Sequence, residues 1–191
     1  FSPGMEEYEK RKLSIFNHLN FLQLLVGILM PVSGALNTNK MPPGAWLVLG
    51  LPALISLFVL YLNYRKKNEL ACILYFILYP FVTCFIYMYG MNPGTTLFFI
   101  LYAVLCIFFL KDTGYMIFSL FFSMVSYFLL AVVIKRYPYE LHSMSYALYM
   151  INQIIAIIFI FYGLLLIKKE NTAYQFHILS KNISLREKNM R

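Results

Sequence analysis

Six long apolar runs, each closed by turn formers or charges, divide the chain at about residues 13–36, 45–62, 70–89, 95–110, 115–134 and 146–167. Each holds roughly 16–24 residues, which at ~1.5 Å of rise crosses a hydrocarbon layer of about 30 Å, the fourth only marginally. Continuous runs, rather than ten-residue segments of alternating polarity, predict helices and not barrel strands. The expected fold is therefore an all-α integral membrane protein. It comprises a six-helix transmembrane bundle over residues 13–167, an N-terminal segment over 1–12 and a helical extension over 168–191.

Composition narrows the class further. The chain is 61% hydrophobic and 13% charged, against roughly 25% charged in soluble domains. A water-soluble fold is excluded on that balance. Eighteen Phe and sixteen Tyr suit helix packing in lipid and the aromatic belts at either face. The first run is too long for a cleavable leader and no small-residue cleavage site follows it. Phe1-Ser2-Pro3-Gly4, ahead of Met5, resembles an expression scar and is left out of the reading.

Basic residues orient the bundle. Lys10, Arg11, Lys12, Arg65, Lys66, Lys67, Lys111, Lys168 and Lys169 fall on one side, and only Lys40, Lys135 and Arg136 on the other. By the positive-inside rule both termini are expected in the cytoplasm, with the chain multi-pass in the cell's inner (plasma) membrane. The net charge of +8 is then a topology signal and not a nucleic-acid patch, so no nucleic-acid partner is expected. The loops at 37–44, 90–94 and 135–145 are too short to fold into an external domain. A ligand must bind between helices, in the bilayer, or on the last loop with Tyr137, Tyr139, Glu140 and His142. The plainer reading of that loop is an interfacial cap.

Polar positions inside the runs define the candidate site. Asn17, Asn20, Gln23, Gly27, Pro31 and Gly34 recur every three or four residues and share one helix face that must look into the bundle. That face reads either as packing glue or as a polar ligand pocket. His18 is the one side chain of the six runs that charges near neutral pH, a hydrogen-bonded structural histidine or a sensor of pH or metal. Tyr75, Tyr79, Thr83 and Tyr87 form a second stripe and Ser119, Ser123 and Ser126 a third, both suited to helix contacts. Asn152 and Gln153 sit about two turns inside the last run, available to a dimer partner, the bundle or a ligand. The candidate intramembrane site is thus Asn17, His18, Asn20, Gln23, Asn152 and Gln153.

Absences bound the chemistry. Every acidic residue lies outside the runs, whereas ion-coupled transporters need an ionisable group at mid-membrane. Cys72, Cys84 and Cys106 lie at different depths on two helices, with neither metal-ligand nor disulfide spacing. No catalytic motif or phosphate loop occurs, so no cofactor and no enzyme activity are expected of these residues themselves. A small six-helix transporter or channel subunit is the alternative, and an intramembrane lipid enzyme relying on His18 a third.

The tail carries the remaining signal. Phe176, Ile183 and Met190 repeat every seven residues with Leu179 between them, and no breaker interrupts the helix from the last run onward. These four mark a candidate signal-transmitting helix that continues Leu166-Ile167-Lys168-Lys169-Glu170-Asn171 into water. Six short-looped runs followed by that exit and by Leu179-Ser180-Lys181-Asn182-Ile183-Ser184-Leu185-Arg186-Glu187-Lys188-Asn189 resemble the membrane input region of bacterial sensor histidine kinases. They are similar, too, to the hexahelical anchors of bacterial nucleotide cyclases. The resemblance implies a homodimeric receptor module of the lipid bilayer that takes a small or lipophilic ligand and signals to a cytoplasmic effector following the helix. His177 lacks the acidic neighbour of the kinase phosphoacceptor, so that role is not carried to it.

Overall fold

The computed structural model describes residues 7–36, 44–134, 136–144 and 146–189. Met5, Lys40, Lys135, Met190 and Arg191, which enter the expectations above, lie outside the described residues, as does the loop 37–43. The described chain is helical: α1 (Glu7–Leu36), α2 (Ala45–Tyr64), α3 (Asn68–Met88), α4 (Leu97–Phe109), α5 (Thr113–Tyr127), the four-residue α6 (Leu141–Met144) and α7 (Tyr146–Asn189). Five stretches, Glu7–Leu29, Leu47–Tyr64, Asn68–Met88, Thr113–Val133 and Tyr146–Ile183, are long and apolar enough to cross a membrane.

The outer surface fits that solvent. Leu29, Leu54, Phe121 and Phe161 are 62–69% exposed, and α5 turns only Ser119, Ser123 and Ser126 fully inward. Bulky apolar groups outward and small hydroxyls inward invert the pattern of a soluble amphipathic helix. On α1, Gly27 lets the backbones of α1 and α2 meet, since a Cβ there would lie 2.9 Å from the Ala53 nitrogen.

Helix α4 differs from its expected extent. It holds 13 residues, about 20 Å by rise, instead of the 16 of the run. It is apolar all round because α3, α5 and α7 pack around it, burying Phe98, Phe99, Leu101, Leu105 and Phe109. The loop before it is also not a surface turn: Met91, Pro93 and Gly94 are buried. Met91–Asn92 forms a short parallel bridge with Tyr139–Glu140, and the last loop folds against the bundle through it.

Proline and widened turns leave backbone carbonyls that other helices satisfy. Pro80 lacks the N–H that would reach the Phe76 carbonyl, and the Ser119 hydroxyl of α5 donates to that carbonyl at 2.9 Å. Beyond α5 the helix widens into a π-helical segment, Phe128–Val133, where Ile134 N–H reaches Leu129 O at 2.9 Å. The Tyr137 hydroxyl donates to Leu130 O at 2.8 Å beside it. At the bundle's basic end Phe16, Tyr75, Phe76 and Phe109 form a ring cluster with centroids 4.9–6.2 Å apart.

Candidate functional site

The stripe on α1 meets the tyrosine stripe on α3 at the centre of the bundle. Asn20 and Gln23 are 0% and 4% exposed. Gln23 sits between two rings: the Tyr75 hydroxyl donates to its Oε1, and its Nε2 donates to the Tyr102 hydroxyl of α4 at 2.8 Å. One turn along α3, the Tyr79 hydroxyl pairs with Ser56 and donates to Pro52 O at 3.0 Å. Asn20 Nδ2 donates to Ser56 O at 3.1 Å. Four helices are thereby tied by amides and hydroxyls, whose donors would otherwise be stranded in an apolar interior.

A cavity of about 50 Å³ adjoins this network, lined by Gln23, Gly27, Pro52, Thr83, Thr95 and Tyr102 among others. That volume suits one water or a similarly small polar group. Thr95, whose Oγ1 is buried and without a protein partner, lines it; in the network itself Asn20 Oδ1 is likewise unpartnered. Amides and hydroxyls can hold and exchange hydrogen bonds here without a group that titrates near neutral pH.

Behind the cavity the entering loop is clamped from α7. Asn152 Nδ2 donates to Pro93 O at 2.7 Å and Gln153 Nε2 to Gly94 O at 2.8 Å. Thr95 N–H donates to the Tyr87 hydroxyl at 3.0 Å, and Asn92 Oδ1 accepts from Gly94 N–H at 3.0 Å. These bonds satisfy the polar backbone of a loop that has left water. Gly94 is required twice over: its φ is +73°, and a Cβ would fall 2.6 Å from the Tyr149 ring.

The six expected site residues therefore divide. Asn20 and Gln23 join the central network, while Asn152 and Gln153 hold the loop beside it. Asn17 lies apart on α1 and accepts from Asn63 Nδ2 at 2.6 Å. His18 faces outward, with Nδ1 2.7 Å from Ser14 O, and takes no part. Ser56 and Tyr102 belong to the network and were not anticipated; their signal was a lone hydroxyl within an apolar run. Of the tail residues, Phe176, Leu179 and Ile183 are exposed, and Met190 lies outside the described residues.

At the basic end Lys111, in the α4–α5 connection, reaches Glu9 of α1 at 3.3 Å and Glu69 of α3 at 3.5 Å. Partial desolvation pulls its pKa down, but the hydrogen bonds and charges of Glu9 and Glu69 together outweigh it and hold the ammonium above its ordinary value. Beside it, Tyr8 of α1 packs on Tyr174 of α7 with centroids 4.8 Å apart. Comparison of the chain with protein-family models, curated proteins and solved structures finds no match.

Proposed function

We propose that the chain is a membrane-embedded sensor or regulatory module that passes a change in bundle packing along α7 to a cytoplasmic effector. The effector favoured is a histidine kinase, with a nucleotide cyclase next. In this reading the bundle spans the inner membrane six times with both chain ends in the cytoplasm, α4 being a short sixth span sheathed by its neighbours. The module acts as a homodimer through the exposed Phe176, Leu179 and Ile183 stripe.

The observation that carries the reading is the continuity of α7. It runs 44 residues from Tyr146 to Asn189, about 66 Å by rise and twice a hydrocarbon core, through Ile167-Lys168-Lys169 without a break. Its outer part holds the buried loop through Asn152 and Gln153, and its distal part carries apolar residues at heptad spacing. A stimulus works by binding one packing of the cavity and loop more tightly than another, because equal affinity for both shifts nothing.

The test uses Asn182→Cys bearing a spin label, in the full chain with Cys72, Cys84 and Cys106 replaced by Ala, reconstituted in nanodiscs. A dimer gives a defined label-to-label distance, and Asn152→Ala/Gln153→Ala shifts it. Absence of spin–spin coupling, or a distance indifferent to the double substitution, sinks the proposal.

A further inference from the structure

A second hollow, larger than the central cavity, is a cleft of about 640 Å³ at the basic end, between α1, the α2–α3 turn and the α4–α5 connection. Its size lies within the range of roughly 300–1,000 Å³ typical of ligand pockets. Two chemistries meet in it. The floor is apolar and aromatic, with Phe16, Phe109 and Leu110 buried beneath it. Around the mouth stand Lys12, Lys66, Lys67 and Lys111.

The lining sets four lysines against the carboxylates of Glu9, Glu69 and Asp112, a formal surplus of one positive charge, and the carboxylates are engaged away from three of the lysines. Glu9 and Glu69 are both taken by Lys111, and Asp112 caps α5 by accepting from Tyr115 N–H at 3.0 Å. Among the described residues no ion pair engages Lys12, Lys66 or Lys67. Lys12 instead lies 5.1 Å from the centroid of the Phe108 ring. Lys66 holds φ +60°, the only non-glycine residue in that region among those described, where glycine or asparagine is usual after a helix. The N-terminus of α3 opens on the same cleft beside Lys67, which makes no side-chain cap, so its free amides add to the positive field. Asn68 Oδ1, also in the lining, is buried and has no partner, an acceptor left over for a hydroxyl.

We infer that this cleft binds an anionic phospholipid whose headgroup carries a hydroxyl, with its phosphate among Lys12, Lys66 and Lys67, its hydroxyl at Asn68 and an acyl chain along the apolar floor. Basic pockets between helices near a membrane surface recognise such headgroups, each lysine contributing about fivefold in affinity, the equivalent of ~1 kcal/mol. The inference rests on the membrane reading of the helices and not on signalling, so it survives if α7 transmits nothing.

Cys72 lines the cleft, whereas Cys84 bonds to Ser126 elsewhere, which gives an internal reference. The purified chain in neutral detergent is titrated with phosphatidylglycerol, phosphatidylcholine, glycerol phosphate or inorganic phosphate, and maleimide labelling of each cysteine is followed. Saturable protection of Cys72 but not Cys84 by phosphatidylglycerol, at least tenfold tighter than by phosphatidylcholine, is expected. Lys12→Gln/Lys66→Gln/Lys67→Gln loses it, and Lys168→Gln/Lys169→Gln/Lys181→Gln, which removes as many charges outside the cleft, keeps it. Lys66→Gly relieves the backbone and removes one charge, so its expected fivefold loss cannot come from misfolding. Equal losses in the two lysine variants would reduce the effect to diffuse surface charge and overturn the site. Equal protection by glycerol phosphate or inorganic phosphate would overturn the lipid assignment.

Discussion

Replacing Gly94 with alanine tests the clamp between the buried loop and α7. The new methyl meets two penalties. At φ +73° an L-residue loses about 1–2 kcal/mol. The Cβ also lands 2.6 Å from Tyr149 Cδ2 and 2.9 Å from Cε2, so the ring must retreat by most of an ångström. Tyr149 cannot do so freely, because His142 stacks edge-on against it at 5.2 Å. Overpacking of this kind costs a further ~1–3 kcal/mol, for a total of about 2–5 kcal/mol. Gly90→Ala is the matched control: its φ is +87°, but the Cβ would sit 3.4 Å from the Pro138 ring, an ordinary contact, so only the backbone penalty remains. The excess for Gly94→Ala is therefore about 1–3 kcal/mol, and adding Tyr149→Ala makes room for the methyl and removes that steric share. Unfolding in detergent can be followed with a fluorogenic thiol dye on a chain that keeps only Cys106, which is free and buried and reacts as the bundle opens. If Gly94→Ala and Gly90→Ala destabilise equally, Tyr149 does not press on the loop and the clamp argument fails.

Ser119→Ala strips the Phe76 carbonyl of its replacement donor and should lower stability by about 1–2 kcal/mol in the same assay; Pro80→Ala restores the helix N–H, so the pair should couple favourably in a double-mutant cycle. Gln23→Leu leaves the Tyr75 hydroxyl buried and unpaired, a loss of about 1–3 kcal/mol. Tyr75→Phe added to it should recover part of that loss, and additive losses would contradict the network. Lys111→Gln should cost ~0.5 kcal/mol as befits a half-exposed pair. Because its folded pKa is raised, the contribution is whole below the ordinary lysine value of 10.5 and drains only as pH climbs through the raised one. Melting curves of wild type and variant should therefore differ by a constant amount across neutral pH and converge in strong alkali.

Much of this arrangement could be read from residue order. Asn20, Gln23 and Gly27 at helical spacing on α1 had to face inward, because amides cannot be left in hydrocarbon, and they do. The Tyr75, Tyr79, Thr83 and Tyr87 stripe of α3 and the serine stripe of α5 turned inward for the same reason. What escaped notice depends on contacts far apart in the chain. Periodicity cannot say that Asn152 reaches Pro93, 59 residues away, or that Ser56 meets Tyr79, since a pattern along one helix shows which side turns inward and not which distant residue it meets there. The loop 90–94 reads as a surface turn from Asn92-Pro93-Gly94 alone, because turn chemistry is the same in water and in a bundle that supplies the missing donors. Run length misjudged α4 for a related reason: apolar residues on every side look alike whether lipid or protein surrounds them.

The distance between the clamp and the far stripe of α7 has a mechanical consequence. Ile183 lies 31 positions beyond Asn152 in one unbroken helix, an arm of about 46 Å at helical rise. A tilt of about 5° pivoting at the clamp would swing its tip by roughly 4 Å, close to one residue's advance along an extended chain. Tyr174, about two-thirds of the way out, rests on Tyr8 with ring centroids 4.8 Å apart, so any such tilt would have to move the two rings past each other.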